Sequence, residues 1–303
     1  MKSNEVSLDS LNGLSSRIIM KKAVFIGNCQ CSGLRAVLQY THFDRKYESV
    51  QYANWQMIKN QEAPPYHDLE TADVIIYQPL SDVHGCFSTD PSNPNSMLQT
   101  CRPDALVLSF PRMHNNSLWP VYKKHQLQSI YYGGPDIYSY YERQGIRTKS
   151  QFFQLYDTGA LNFQMDERWR RNMAITLKKE ENTTVKVHDY IQQNIRSQRL
   201  FLTHDHPTTA LFQHCVSQLL EPLGIDFLDS VQWSELDKNI TGLQDSVYQH
   251  SSCMYPDSSY MWSYTEPSTI NDAFYRTELS NYLDSIPGMQ HGTETDDYGK
   301  IYK

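Results

Sequence analysis

No apolar run in this chain approaches the ~18 residues that a membrane-crossing helix requires, so a helical membrane protein is not expected. An excess of basic charge is also missing: 27 Lys and Arg stand against 34 Asp and Glu, a formal net charge of -7. A nucleic-acid platform needs a basic face that releases counterions, and this balance argues against one. Any anionic ligand must then be held by local cations. Paired cysteines are the third absence. The 6 cysteines, Cys29, Cys31, Cys86, Cys101, Cys215 and Cys253, are scattered over 303 residues without a C-x-x-C pair. That spacing does not suit a disulfide-stapled scaffold, and free thiols in a reducing cytoplasm are expected. Residues 1–19 are polar, include Glu5 and Asp9, and lack the apolar centre of a secretory signal. They read as a flexible leader, with Met20 an alternative start.

What the chain does have begins at Ala23-Val24-Phe25-Ile26, which runs straight into Gly27-Asn28-Cys29-Gln30. From Ser32 onward Leu34, Val37, Leu38 and Thr41 lie at helical spacing, completing a strand, turn, helix unit. Tyr47 to Tyr52 is a further strand candidate. Asp73 to Gln78 and Ala105 to Phe110 are apolar runs suited to strands covered on both faces, and Pro79 and Pro111 close them. Both should end at one edge of the sheet, where loops carry function, with His84, Arg112 and His114 just beyond. Ser96 to Cys101 reads as a short helix.

Leu161, Met165, Trp169, Met173 and Leu177 recur every four residues, with Asp166 and Glu167 early and Lys178 and Lys179 late, in accord with a helix macrodipole. Val185 to Arg196 continues helical, and Arg199 to Thr203 reads as a strand. Asp205-His206-Pro207-Thr208 then precedes Leu211, Phe212, Cys215, Val216, Leu219, Leu220 and Leu223 at helical intervals. Pro207 suits a first helical turn, which places His206 at or beside the N-cap. After Gly224 the pattern dissolves, save for a helix around Asn271 to Ile286 and an acidic, disordered end at Glu294 to Asp297. The expected class is α/β, with a predominantly parallel sheet flanked by helices and a helical or irregular C-terminal extension. The expected division is a leader over 1–20, a catalytic domain over 21–223, and an extension over 224–303 packed on it.

A cysteine reacts as its thiolate, and a helix N-terminus together with a nearby imidazole lowers a thiol pKa. Cys29 has the first by position, and His206 supplies the second if the two strand ends lie side by side. Gly27 would permit a tight turn, while Asn28, Gln30 and the amides of the following turn could donate to an oxyanion. Asp205 could orient His206 or cap the helix. Each has a bland alternative. Cys29 after a core strand is a small hydrophobe by default, and His206 before proline is a structural residue at the start of a helix. His204, Asp205 and His206 lack an evident third metal ligand, Cys29 and Cys31 are poorly placed for a disulfide, and Trp55, Trp119, Trp233 and Trp262 are sugar platforms or ordinary packing.

At Gly27-Asn28-Cys29-Gln30, Ile76-Tyr77-Gln78-Pro79-Leu80, Phe110-Pro111 and Asp205-His206-Pro207-Thr208, the chain resembles the WcbI family of polysaccharide-biosynthesis proteins over roughly residues 21 to 223. The resemblance implies an α/β protein that binds coenzyme A and transfers acetyl from acetyl-CoA to a capsular sugar. It makes Cys29 the active-site thiol and His206 its partner, with Gln30 and Gln78 near the same pocket. Asp205 stands where the family is associated with Asn. The phosphates of coenzyme A would need local cations, and Arg35, Arg112, Lys123 and Lys124 follow the relevant strand ends. The leading expectation is therefore a cytoplasmic, metal-independent O-acetyltransferase acting on a cell-surface polysaccharide or its precursor, with no nucleic-acid partner. A Cys-dependent esterase or thioesterase and a non-catalytic ligand-binding protein are the alternatives.

Overall fold

The computed structural model describes residues 20–115, 117–118, 145–161, 163, 165–228 and 272–284. Four strands, β1 (Lys21–Gly27), β2 (Tyr47–Ala53), β3 (Val74–Tyr77) and β4 (Leu106–Ser109), form a parallel sheet in the order β2-β1-β3-β4. The register aligns their carboxyl ends: Gly27 faces Ala53, Ile26 faces Tyr77, and Tyr77 faces Ser109. Chain order reverses between β1 and β3. In open α/β sheets that switch point opens a crevice outside the strand carboxyl ends, where ligands bind.

Strand periodicity distributes the apolar side chains to two cores. Ala23, Phe25, Val74, Ile76 and Leu108 face one side, joined by Leu34, Val37 and Leu38 of helix α1 (Cys29–Leu38). Val24, Ile26 and Ile75 face the other, covered by Met57 of α3 (Asn54–Asn60), Leu69 of α4 (Tyr66–Thr71) and Met97. A four-residue helix, α2 (Phe43–Lys46), precedes β2. Two 3-10 helices, Asp82–Phe87 and Met97–Thr100, fill the link from β3 to β4, the second where a short helix is expected.

Beyond β4 come α5 (Lys149–Asp157), α6 (Met165–Glu180), α7 (His188–Asn194) and α8 (Thr209–Leu223). Helix α6 follows the expected apolar stripe only in part. Each step of four residues overshoots a full turn by ~40°, so Leu177 has rotated away from the line begun at Met165. It is 53% exposed, and Thr176 and Glu180 continue the buried side. The Glu180 carboxylate accepts from the backbone N–H groups of Val187 and His188, capping the start of α7.

The expected strand before α8 is present as β5 (Phe201–Thr203), but it pairs antiparallel with β6 (His206–Pro207) in a small hairpin outside the parallel sheet. Pro207 is therefore not in the first turn of α8. The N-cap is Thr208, two residues after His206, because the hairpin turn at His204 and Asp205 carries the chain back along β5 before α8 begins.

Helix α8 packs on α1 through Gly33, where an added Cβ would overlap the ring of Phe212. Gly33→Ala is expected to lower stability by ~1–3 kcal/mol, as overpacking does, read as a drop in the urea midpoint. An unchanged midpoint would show that Phe212 can move aside at no cost.

The C-terminal cap of α8 is Gly224 in the left-handed region, and backbone bonds from His42 to Asp226 and from Leu228 to Tyr40 keep the chain on the domain through residue 228. Helix α9 (Asp272–Asp284) buries Tyr275, Leu279 and Leu283 in the larger core, and Arg276 pairs with Asp157 and lies 4.3 Å over the Phe153 ring. Residues 1–19 of the expected leader and the acidic end lie outside the described residues.

Candidate functional site

Cys29 is the first residue of α1, three residues earlier than helical spacing suggests, because Asn28 is a competent N-cap whose Oδ1 accepts from Gln30 N at 2.9 Å. Gly27, immediately before, has no positive φ. Its value is close approach, not the expected tight turn: an added Cβ would lie 2.5 Å from Cys31 Sγ and 3.0 Å from Gln78 Oε1.

Gln30 joins four segments of chain. Its Nε2 donates to Met113 O at 2.6 Å and Asp205 O at 2.7 Å, while its Oε1 accepts from Met113 N at 3.0 Å and Gln78 Nε2 at 2.9 Å. Gln78 in turn accepts from Asn28 N at 2.9 Å. Both amide protons of Gln30 are thus committed and the residue is fully buried, so Gln30 is not the expected oxyanion donor. Gln30 and the almost equally buried Gln78 form a polar clamp that holds the end of β3, the loop after β4 and the β5-β6 turn against the start of α1. The site's placement follows from that clamp.

The clamp bonds the residue after Cys29 to the backbone of Asp205, in the turn between β5 and β6, and the charge of Asp205 acts on the Cys29 sulfur. The Cys29 thiol is pushed above its ordinary pKa, first by burial and then by the negative charge of Asp205; its own and Gln30's backbone N–H groups and the charge of Arg112 oppose this without reversing it. The expected depression by the helix N-terminus is present and outweighed. Asp205→Asn removes the second-largest cause, so alkylation of Cys29 by iodoacetamide near neutral pH is expected to quicken several-fold. An equal or slower rate would refute an electrostatic role for Asp205.

Asp205 does not cap α8, where Thr208 holds the N-cap position. Its Oδ1 lies 3.5 Å from His204 Nε2 and 4.0 Å from His206 Nδ1, and its Oδ2 lies 3.7 Å from an Arg112 guanidinium nitrogen. The buried Thr203 hydroxyl sits 2.9 Å from His206 Nδ1 and 3.4 Å from Asp205 Oδ1. A carboxylate only accepts, so the hydroxyl proton directed at Asp205 leaves the Thr203 oxygen to accept from Nδ1–H. That arrangement suits the tautomer with its proton on Nδ1, and the ring is partly open to solvent.

Beside this turn His114 packs edge-on against His204, with ring centroids 5.3 Å apart, and Asn115 N donates to His204 O at 2.6 Å. Burial, with the charges of His204, Lys179 and Arg112 behind it, holds the His114 pKa down at about 3. Lys179, which spacing assigned only to the helix macrodipole, is pushed down to about 8 by burial and by Arg112. Sequence reasoning missed it because its position depends on how α6 meets β4.

Of the other expected cation sites, Arg35 lies in the last turn of α1, roughly 9 Å along the axis from Cys29, and is not brought into this cluster. Lys123 and Lys124 lie outside the described residues, as do Trp119, Trp233 and Trp262. Trp55 is 54% exposed on α3, directly after the carboxyl end of β2. Exposed His84 lies on the first 3-10 helix. Among the described residues no group of three His, Cys, Asp or Glu could hold a metal ion, and no helix is long and apolar enough to cross a membrane.

Residues 22–228 match the family model described as polysaccharide biosynthesis enzyme WcbI. The chain belongs to the WcbI family. A solved structure of WcbI, called a novel polysaccharide biosynthesis enzyme, is similar in fold to this family member: the TM-score is 0.58 at 20% sequence identity, over 88% of this chain and 91% of that one. That structure is of the native protein without a disulfide bond between coenzyme A and one of its cysteines. No curated protein matches this WcbI family member in sequence. The matched span contains the parallel sheet, the Gln30 clamp and the β5-β6 turn, so the cluster described above lies wholly within the family region.

Proposed function

We propose that this WcbI family member is a cytoplasmic O-acetyltransferase that moves an acetyl group from acetyl-CoA to a hydroxyl of a cell-surface, capsular-type polysaccharide or its sugar precursor. The observation that carries the reading is the Gln30 clamp. It bonds the start of α1, whose first residue is Cys29, to the turn that leads into His206, and this supports reading the thiol, the imidazole and the Cys29 backbone N–H as one site. That the similar WcbI structure is described by the lack of a disulfide bond between coenzyme A and a cysteine supports the choice of acyl carrier.

His206 Nε2 takes the proton of the sugar hydroxyl as its oxygen attacks the thioester carbonyl carbon. The carbon–sulfur bond then breaks, and the departing sulfur receives the proton from His206. The Cys29 backbone N–H, at the first position of α1 where no intrahelical acceptor exists, supports the oxyanion. An upward-shifted Cys29 thiol is mostly protonated near neutral pH, which favours direct transfer with Cys29 positioning the thioester over an acetyl-Cys29 route.

Calorimetry with coenzyme A, followed by product analysis with acetyl-CoA and candidate sugars, tests the reading. Micromolar binding and a sugar O-acetyl ester are expected. Acetate released equally with and without sugar would identify a thioesterase instead. Absence of coenzyme A binding would remove the transferase.

A further inference from the structure

The end of α6 is stitched to the end of β4. Ser109 N donates to Thr184 Oγ1 at 3.0 Å, Thr184 N to Ser109 Oγ at 3.1 Å, and Val185 N to Ser109 O at 2.9 Å. This brings Lys179, in the last turn of α6, toward Arg112, three residues beyond Ser109. Arg112 acts electrostatically on Lys179, and both act on His114, which packs edge-on against His204.

Among the described residues Lys179 makes no ion pair and no side-chain hydrogen bond, although it is partly buried. Arg112 has one carboxylate at a distance, Asp205 at 3.7 Å, and its side chain is 52% exposed. Two like charges that act on one another, with Asp205 paired to Arg112 alone, leave a local positive excess where the end of α6 meets the end of β4, in a chain whose overall charge is -7. Such an excess is stabilised by an oxyanion that accepts from both.

We infer that Arg112 and Lys179 form an oxyanion subsite for the acceptor, so that the sugar receiving the acyl group carries a phosphate or a carboxylate. This rests on the transferase reading and names its substrate class. The position argues for the acceptor and against coenzyme A as the source of the anion. Arg112 acts electrostatically on the Cys29 sulfur, whereas the whole pantetheine arm separates the thioester from the nearest coenzyme A phosphate. Arg112, expected to bind coenzyme A, is thereby reassigned.

The test uses the full chain, saturated with coenzyme A, titrated calorimetrically with glucose 1-phosphate, glucuronate and glucose. At least one anionic sugar is expected to bind about tenfold more tightly than glucose, as one charge-assisted contact provides. Lys179→Met should abolish that preference, Lys179→Arg should retain it, and coenzyme A affinity should stay within about twofold in both. Which anionic sugar wins distinguishes phosphate from carboxylate.

Equal binding of all three sugars, or a preference untouched by Lys179→Met in a chain that unfolds at the wild-type midpoint, would overturn the proposal. So would a loss of coenzyme A affinity in Lys179→Met that matches the loss for the sugar, since the pair would then serve coenzyme A's own phosphates. If wild-type chain fails to bind coenzyme A, the transferase reading fails separately; the sugar preference, repeated without coenzyme A, still decides whether the pair reads charge.

Discussion

Gln30→Leu is expected to cost roughly 3 kcal/mol or more of folding stability, since each buried polar group left without a partner costs about 1–3 kcal/mol. Leucine fits the volume but strands Met113 O, Asp205 O, Met113 N and Gln78 Nε2, all bonded to this one side chain. Gln30→Glu is the sharper variant. It keeps the shape and an acceptor, loses both donations, and sets a carboxylate against two carbonyl oxygens. Both should lower the urea midpoint, and both should raise the accessibility of Cys29 to alkylation as the β5-β6 turn loosens from α1. Wild-type midpoints in both variants would refute the clamp.

His206→Gln is expected to lower acyl transfer by about 10²–10⁴-fold, the range for removing a general base, with little change in unfolding midpoint because the ring is partly open to solvent. Thr203→Val, which keeps the packing and removes the hydroxyl at Nδ1, should lower kcat with KM nearly unchanged. Cys29→Ala separates the two routes. Direct transfer predicts that it chiefly raises KM for the thioester, whereas an acetyl-Cys29 route predicts loss of kcat. If His206→Gln retained full activity, the proposed proton transfer would be untenable.

The central strands β1 and β3 were legible because they are covered on both faces, and continuous apolar runs are what that burial requires, whereas the expected cover fails at the edge strand β4, where Val107 is 39% exposed. The start of α1 was less so: Asn28 as N-cap draws Cys29 into the helix, where apolar spacing begins only later. The strand at β5 and the helix α8 were legible, but His206-Pro207 between them reads as a helix start where it forms β6, because Pro207 satisfies a two-residue antiparallel pairing as well as a first helical turn, and local sequence does not choose between them. The Leu161 to Leu177 stripe misled at its far end, since a period of four drifts off a helix of ~3.6 residues per turn.

The amino-acid order alone determined the class of fold and the motifs that resemble WcbI, because alternating strands and helices write their burial patterns locally. It marked Cys29, Asp205 and His206 without saying how they meet. Tertiary structure decided that Gln30 belongs to the framework, that burial and Asp205 raise the thiol, and that the end of α6 is bonded to the end of β4. Each of those depends on segments far apart in the chain, and the hydrogen bonds and charge fields that join them act through space.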